Sequence, residues 1–335
     1  MEIGYALIPL TDAEQGGTLL GRVTLIRRQI ALDLGIVLPT IRIRDNAELQ
    51  PNQYTIKLRG VPVATGEVRP KWLLAMNPGM AEQEIEGIPA VEPAFGLPAV
   101  WIAPAERERA DMLGYTVVDP PSVIITHLSE VIRTHAATIL SRQDVQNLLE
   151  HVKEEHPALV NELVPAVLTL GQVQRVLQNL LRERVSIRDL VTVLEAITDQ
   201  AQVTHDPDVL SEHVRQALAR QITRQYAGED GRLSVITLAP AWQQELAKSV
   251  VQTERGPSLQ IEPGAAQRFL MRIREAMERL AAAGHQPIIL CPARLRLPLR
   301  HFTELALPSV VILAYSEISP NTEVITRETV DGGVA

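Results

Sequence analysis

From residue 141 to 225 the apolar residues keep helical spacing with no convincing strand among them, whereas on either side short apolar strands alternate with helices. A domain buries one face of a sheet or one stripe of a helix against its neighbour, and no single layered arrangement accommodates both patterns. The chain is therefore expected to be multidomain, and its 335 residues suffice for two to four domains with cores of their own. Helix starts mark out the middle stretch, which reads as four or five helices. Ser141 with Asp144 and Ser186 with Asp189 fit capping boxes, and Asp206-Pro207 fits an N-cap followed by proline at the first helical position.

Before that stretch, residues 3–10 read as a strand closed by Pro9. Leu19, Leu20, Val23, Ile26, Ile30 and Leu34 then recur at helical spacing as a core stripe that Gly35 stops. Residues 41–44 and 54–59 alternate apolar with polar or basic, as half-buried strands do, and residues 61–68 continue as a proline-flanked edge strand. From residue 71 a strand, an acidic loop, a further extended segment, a short helix and a strand follow, making a compact insertion that ends at residue 119. Pro120 and Pro121 open a helix reaching residue 140. In the segment VEPAFGLPAVWI, residues 91–102, two prolines and a glycine hold the chain turned and are expected to expose Glu92 beside Phe95.

After the glycines at 228 and 231, strands at 233–238, 287–291 and 309–313 alternate with helices at 241–251, 265–283 and 293–306, the pattern of a parallel α/β sheet. One more strand is expected at 323–325. The fold class is thus multidomain, α+β and α/β: a small α/β domain with an inserted α+β subdomain, an all-α helical domain and a C-terminal α/β domain. Proline- and glycine-rich connections at 66–71, 119–121 and 228–231 are expected to let these parts reorient.

Charge narrows the function. The net −8 is concentrated in residues 71–119, with 3 basic against 8 acidic residues, and in residues 140–219, with 7 against 12. With 3% aromatic residues and no basic stripe, binding to nucleic acid is not expected, because phosphate neutralisation and base stacking need what is scarce here. Neither a signal peptide nor an apolar run near membrane-spanning length is present, and the single cysteine suits a reducing, cytoplasmic compartment. Chemistry is equally sparse. Gly16-Gly17 with Gly21 lacks the lysine and serine or threonine of a phosphate-binding loop; His151 and His156 fall on different helix faces; Cys291 reads as an inert core thiol; Glu82, Glu84 and Glu86 read as solvated. Arg294, Arg296, Arg300 and His301 read as a solvated face, or as a patch for an acidic partner. No cofactor and no metal is expected. An enzyme working at the carboxyl ends of the C-terminal strands, near Leu238, Cys291 or Leu313, remains the alternative class of function.

The stretches RRQIALDLGIVLPTIRIRDNAELQPNQYTIKLRG, WLLAMNPG, VEPAFGLPAVWI, VVDPPSVIITHLSEVI and LVPAVLTLGQVQRVLQNLLRERVSIRDLVTVLEAI, in this order over the whole chain, resemble the cytoplasmic domain of the FlhA family of type III secretion export-gate proteins. The resemblance implies that a membrane-spanning half precedes this portion, which lies on the cytoplasmic face of the bacterial inner membrane and is no enzyme. It also implies four subdomains: residues 1–70 with 120–139, the insertion 71–119, the helical 140–219 and the α/β 220–335. The family forms a nonameric ring through the helical part, which here carries basic residues such as Arg182 and Arg184. It docks export chaperones with bound filament-type cargo in a cleft between the first two subdomains, and works with the export ATPase complex and the switch component of the gate.

Carried over by motif, the docking positions are Glu92, Phe95 and Thr126, with Met76, Pro78, Leu97, Val118 and Val123 lining the dimple. Glutamate stands at 92 where the family has aspartate, which lengthens the reach of the charge by one methylene. The residues alone favour Phe95 as core of the insertion and Thr126 as a helix residue bonded to its own backbone; the resemblance favours docking.

Overall fold

The computed structural model describes Met1 to Asp331 except Pro78, Met80, Glu82, Glu254 and Arg255. It divides into two compact units, Met1–Asp144 with Ser186–Arg188, and Val145–Val185 with Asp189–Ala335.

In the first unit, β1 (Glu2–Ile3) leads into a 3-10 helix, Tyr5–Leu10, where a strand was expected. Burial explains the difference: Ile3 and Leu7 are buried while Tyr5 and Ile8 are exposed, a helical rather than an alternating spacing. Gly4 sits so close to the Gln50 carbonyl that a Cβ would lie 2.1 Å from its oxygen. The helix α1 (Leu19–Leu34) buries Leu19, Val23, Ile30 and Leu34, although Leu20 of the expected stripe faces solvent. Gly35 ends it at φ 78°, and a Cβ there would stand 2.4 Å from the Arg188 amide nitrogen, so both conformation and space demand glycine. Of the expected strand at 41–44 only β2 (Arg44–Asp45) forms, an edge paired in parallel with β1. With β3 (Gln53–Leu58) and β4 (Val61–Glu67) it completes a sheet of order β2-β1-β3-β4.

The insertion forms its own sheet from β5 (Leu73–Met76), β6 (Ile88–Val91), β7 (Pro98–Ile102) and, after the short helix α2 (Arg107–Met112), β8 (Thr116–Val118), in the order β6-β7-β5-β8. Ala75, Ile85, Ile102 and Ala110 are its core. Asp119 then caps α3 (Pro120–Ile139) by accepting the Ser122 N–H, and it also receives both terminal nitrogens of Arg22 from α1 at 3.0 and 2.7 Å. These hydrogen bonds, with burial opposing them, hold the Asp119 carboxyl below the usual carboxylate range. On the buried side of α3 the Tyr54 hydroxyl of β3 meets Nδ1 of that helix's own His127 at 2.8 Å, both side chains buried, and Gly66 makes room for the phenol ring.

The helix α4 (Arg142–Glu155), whose first turn carries the expected Ser141–Asp144 capping pair, runs from the end of the first unit into the second. Then come α5 (Pro157–Leu163), α6 (Leu170–Arg182), α7 (Leu190–Ala201), α8 (Pro207–Ala217) and α9 (Ala219–Tyr226), six helices among the described residues instead of four or five. A Thr169–Gln172 capping box starts α6, and Asp189 caps α7 by accepting the Thr192 N–H while Ser186 accepts the Arg188 N–H. From there β9 (Leu233–Leu238), α10 (Pro240–Ser249), the antiparallel pair β10 (Val250–Thr253) and β11 (Gly256–Leu259), α11 (Pro263–Ala282), β12 (Ile288–Cys291), α12 (Ala293–Thr303), β13 (Val311–Ala314) and β14 (Val324–Val330) follow. Strands β13-β12-β9-β14 make the expected parallel sheet, and β14 runs well beyond the tail strand anticipated from the sequence. Trp242 stacks on Phe269, 4.6 Å between centroids, in the core that α10, α11 and α12 lay against this sheet.

What joins the helices to the α/β part is charge. Arg296 of α12, expected on a solvated face, has no exposed surface: it grips both carboxylate oxygens of Glu183 at 2.6 and 3.1 Å and pairs with Glu212 of α8. Arg215 of α8, equally buried, forks onto Glu317 at 2.5 and 3.0 Å. Two guanidiniums and three carboxylates thus close a network between helices on one side and the sheet's flank on the other. The turn at residues 228–231 lies between them, so the reorientation expected at that connection would have to break this network. Burial by itself would raise the Glu183 carboxyl, yet the charges of Arg215 and Arg296 hold it down at about 2.

Replacing Arg296 with Met is expected to cost about 3 kcal/mol, because Glu212 loses its ion-pair partner and Glu183 keeps only Arg215 while both carboxylates stay largely out of water; the denaturant midpoint reads this. Since the folded Glu183 pKa lies below its unfolded value near 4.5, its contribution is present above that pH and is lost as pH falls towards 2. His127 behaves in the opposite way. Burial pushes its imidazole below the usual 6.5, opposed by the Glu92 carboxylate. The unfolded chain therefore takes up the proton first, and the midpoint should fall as pH drops through that range, less steeply in His127→Gln than in the parent.

Candidate functional site

The turn joining β6 to β7 is built by one residue. Glu92 donates its N–H to the Leu97 carbonyl at 2.8 Å and accepts the Gly96 N–H on its own carbonyl at 2.9 Å, closing the loop through the backbone. Its carboxylate folds inward, where Oε1 accepts the Ala94 N–H at 2.9 Å and Oε2 the Phe95 N–H at 2.7 Å. Gly96, at φ 71° with open space where a Cβ would stand, completes the reversal through conformation alone. The expectation that Glu92 is exposed is thus overturned: its relative exposure is 3%, because two backbone donors offer an ionised carboxylate better compensation than a half-wet surface. Phe95 is the converse. It is 62% exposed, so the reading of it as core of the insertion fails.

Around it the sheet offers apolar surface. Val91 and Leu97 flank the turn and are exposed at 67% and 47%. Met76 lies half-buried on β5, between Ala99 of β7 and Thr116 of β8, and Val118 lies half-buried on β8 opposite Leu74. Thr126 is exposed on α3, whereas Val123, one turn earlier on the same helix, is buried at 2% exposure and belongs to the core. Pro78 lies outside the described residues, as does Glu82. Glu92, Phe95 and Leu97 are therefore brought together in one turn, Met76 and Val118 on adjoining strands of the same sheet, and Thr126 on the helix that follows β8.

Two residues of this region were not singled out from the sequence. Tyr54 of β3 and His127 of α3 are buried, close enough to Glu92 for its charge to act on both. A histidine directly after Thr126 on an apolar helix was the available signal, but its phenol partner stands 73 residues earlier. In the second unit, Cys291 is buried and burial pushes its thiol up to about 12, leaving no thiolate at neutral pH. No group of three or more His, Cys, Asp or Glu side chains able to hold a metal ion occurs among the described residues, and no helix among them is long and apolar enough to cross a membrane.

Comparison with known proteins gives consistent relationships. The FHIPEP family model matches residues 1–323. A relative, the flagellar biosynthesis protein FlhA of Bacillus subtilis (strain 168), is 46% identical over 330 residues, covering 98% of this chain and 49% of that protein. The chain spans about half the length of the curated relatives it matches. Among solved structures, the Chlamydia pneumoniae CdsV protein superposes with a TM-score of 0.86 at 24% identity, covering 98% of this chain and 96% of that one. The nonameric EscV cytosolic domain from the type III secretion system superposes with a TM-score of 0.77 at 23% identity, covering 94% and 92%. These last two share the fold. With a family match over nearly its whole length and this degree of identity to FlhA, the chain belongs to the FHIPEP family.

Proposed function

We propose that this chain is a docking platform of flagellar type III protein export, which receives export chaperones carrying filament-type cargo and performs no chemistry on them. The observation that carries the reading is Phe95: a large aromatic ring, 62% exposed in a chain with 3% aromatic residues, held out on a turn that its own backbone and Glu92 close. An exposed ring on a preorganised turn loses little entropy on binding and supplies the apolar anchor a partner segment needs. Val91 and Leu97 extend that anchor, Met76 and Val118 would line its floor, and Thr126 would rim it from α3. Membership of the FHIPEP family supports export as the process.

The same reading assigns four subdomains, residues 1–70 with 120–139, 71–119, 140–219 and 220–335, and sets the chain on the cytoplasmic face of the bacterial inner membrane below a membrane-spanning half. It further assigns a nine-membered ring of copies meeting through the helical part, with the export ATPase complex and the gate's switch component as further partners. The nonameric EscV domain, of the same fold, supports the ring.

Titration calorimetry with a flagellar chaperone bound to its filament-type cargo tests the docking site. Phe95→Ala is expected to lose about 2 kcal/mol of binding or more, a thirtyfold weakening, with an unchanged denaturant midpoint, because an exposed ring gives up little packing. Thr126→Met should weaken docking by bulk while α3 stays helical. Unchanged affinity in both variants would contradict the assignment.

A further inference from the structure

Three arginines of the second unit line one cavity of 690 Å³: Arg175 and Arg182 from α6 and Arg300 from α12. Arg175 and Arg182 stand two turns apart on one face of α6 with Asn179 between them, and both are exposed. The acidic residues around the same cavity are mostly spent. Glu183 and Glu212 are bound to Arg296, Asp206 caps α8 by accepting the Asp208 N–H, and Asp208 Oδ1 accepts the Asn179 amide at 2.7 Å. Among the described residues no carboxylate lies within ion-pairing distance of Arg175, Arg182 or Arg300. Partial burial, and next the charge of Arg175, hold the Arg182 guanidinium below its ordinary value, against an opposing pull from Asp208 and Glu304. Positive charge is thus gathered here without enough free acid to balance it.

We propose that this cavity binds a small multivalent phosphate, a ligand with two or more phosphoryl groups, gripped by the guanidiniums of Arg175, Arg182 and Arg300. A carboxylate offers two oxygens and is filled by one bidentate fork, whereas a phosphoryl group offers three strong acceptors and takes forks from several sides. The volume is that of a small-molecule cleft and exceeds what one phosphoryl group fills. Neither a peptide nor a nucleobase finds an anchor, because no Phe, Tyr or Trp occurs among the described lining residues. A ligand held this way ties α6 to α12 beside the cage of Arg296. The site is independent of the docking reading, whose residues all belong to the first unit.

Titration calorimetry of the full chain with inorganic pyrophosphate, at an ionic strength held constant with sodium chloride, tests this. One site per chain is expected, with a melting temperature that climbs with the logarithm of pyrophosphate concentration. Arg175→Gln and Arg182→Gln should each weaken binding tenfold or more, through lost charge-assisted hydrogen bonds. Arg224→Gln, exposed on α9 and outside the lining, should leave the affinity unchanged. Without pyrophosphate the denaturant midpoint of Arg175→Gln and Arg182→Gln should hold or rise, since each substitution removes an unpaired charge; a fall in both would show that these arginines are already partnered and overturn the inference. So would the absence of binding beyond that of chloride, or an affinity unaltered by both substitutions. Citrate, of similar charge, should bind at least tenfold more weakly; equal binding would show a general attraction for anions and overturn the phosphate assignment.

Discussion

Taking an ionised group out of water costs several kcal/mol unless opposite charge or hydrogen bonds compensate it, and this chain supplies that compensation at two places that decide how its parts behave. In the second unit, Arg296 and Arg215 disappear into a cage of Glu183, Glu212 and Glu317. Its members come from the end of α6, from α8, from α12 and from the turn after β13. No one of these elements can leave without stranding a charge. In the first unit, Glu92 is met by two backbone amides, and what it fixes is only a six-residue loop.

The contrast between the two has a functional side. A cage of opposite charges is rigid because its partners are side chains from distant elements, so the helices and the parallel sheet of the second unit are held as one piece. A carboxylate compensated by its neighbouring amides holds no distant element, and what it supplies is the direction of one side chain. Phe95 stands out of a loop whose backbone bonds are all local, carried by a sheet whose core of Ala75, Ile85, Ile102 and Ala110 is small. Recognition by a preformed turn on a modest sheet is economical: the ordering entropy is met at folding rather than at binding.

Much of the architecture was legible in the sequence wherever the signal is local. Gly35 announced the end of α1, Asp119 with Pro120 and Pro121 the start of α3, and the alternation after residue 231 a parallel sheet, because caps, prolines and periodicity act within a few residues. What escaped depends on partners far along the chain. Residues 5–10 look like a strand until the burial of Ile3 and Leu7 shows a helical spacing. Arg296 sits in a run of basic residues that reads as a wet face, and only its carboxylates, 84 and 113 positions away, explain why it is dry. The candidate site rests on family resemblance more than on composition: Phe95 is exposed, whereas Glu92 and Val123 are buried, and no pattern in residues 91–102 distinguishes a carboxylate turned inward from one turned out.

The place where a partner touches the first unit decides whether the turn is a docking site. Hydrogen–deuterium exchange of the chain alone and with a flagellar chaperone bound to its filament-type cargo reads this without altering a residue. Docking on the turn predicts new protection centred on residues 91–97 and little change in the second unit's parallel sheet. Protection confined to the second unit, with residues 91–97 exchanging as fast as in the free chain, would contradict it.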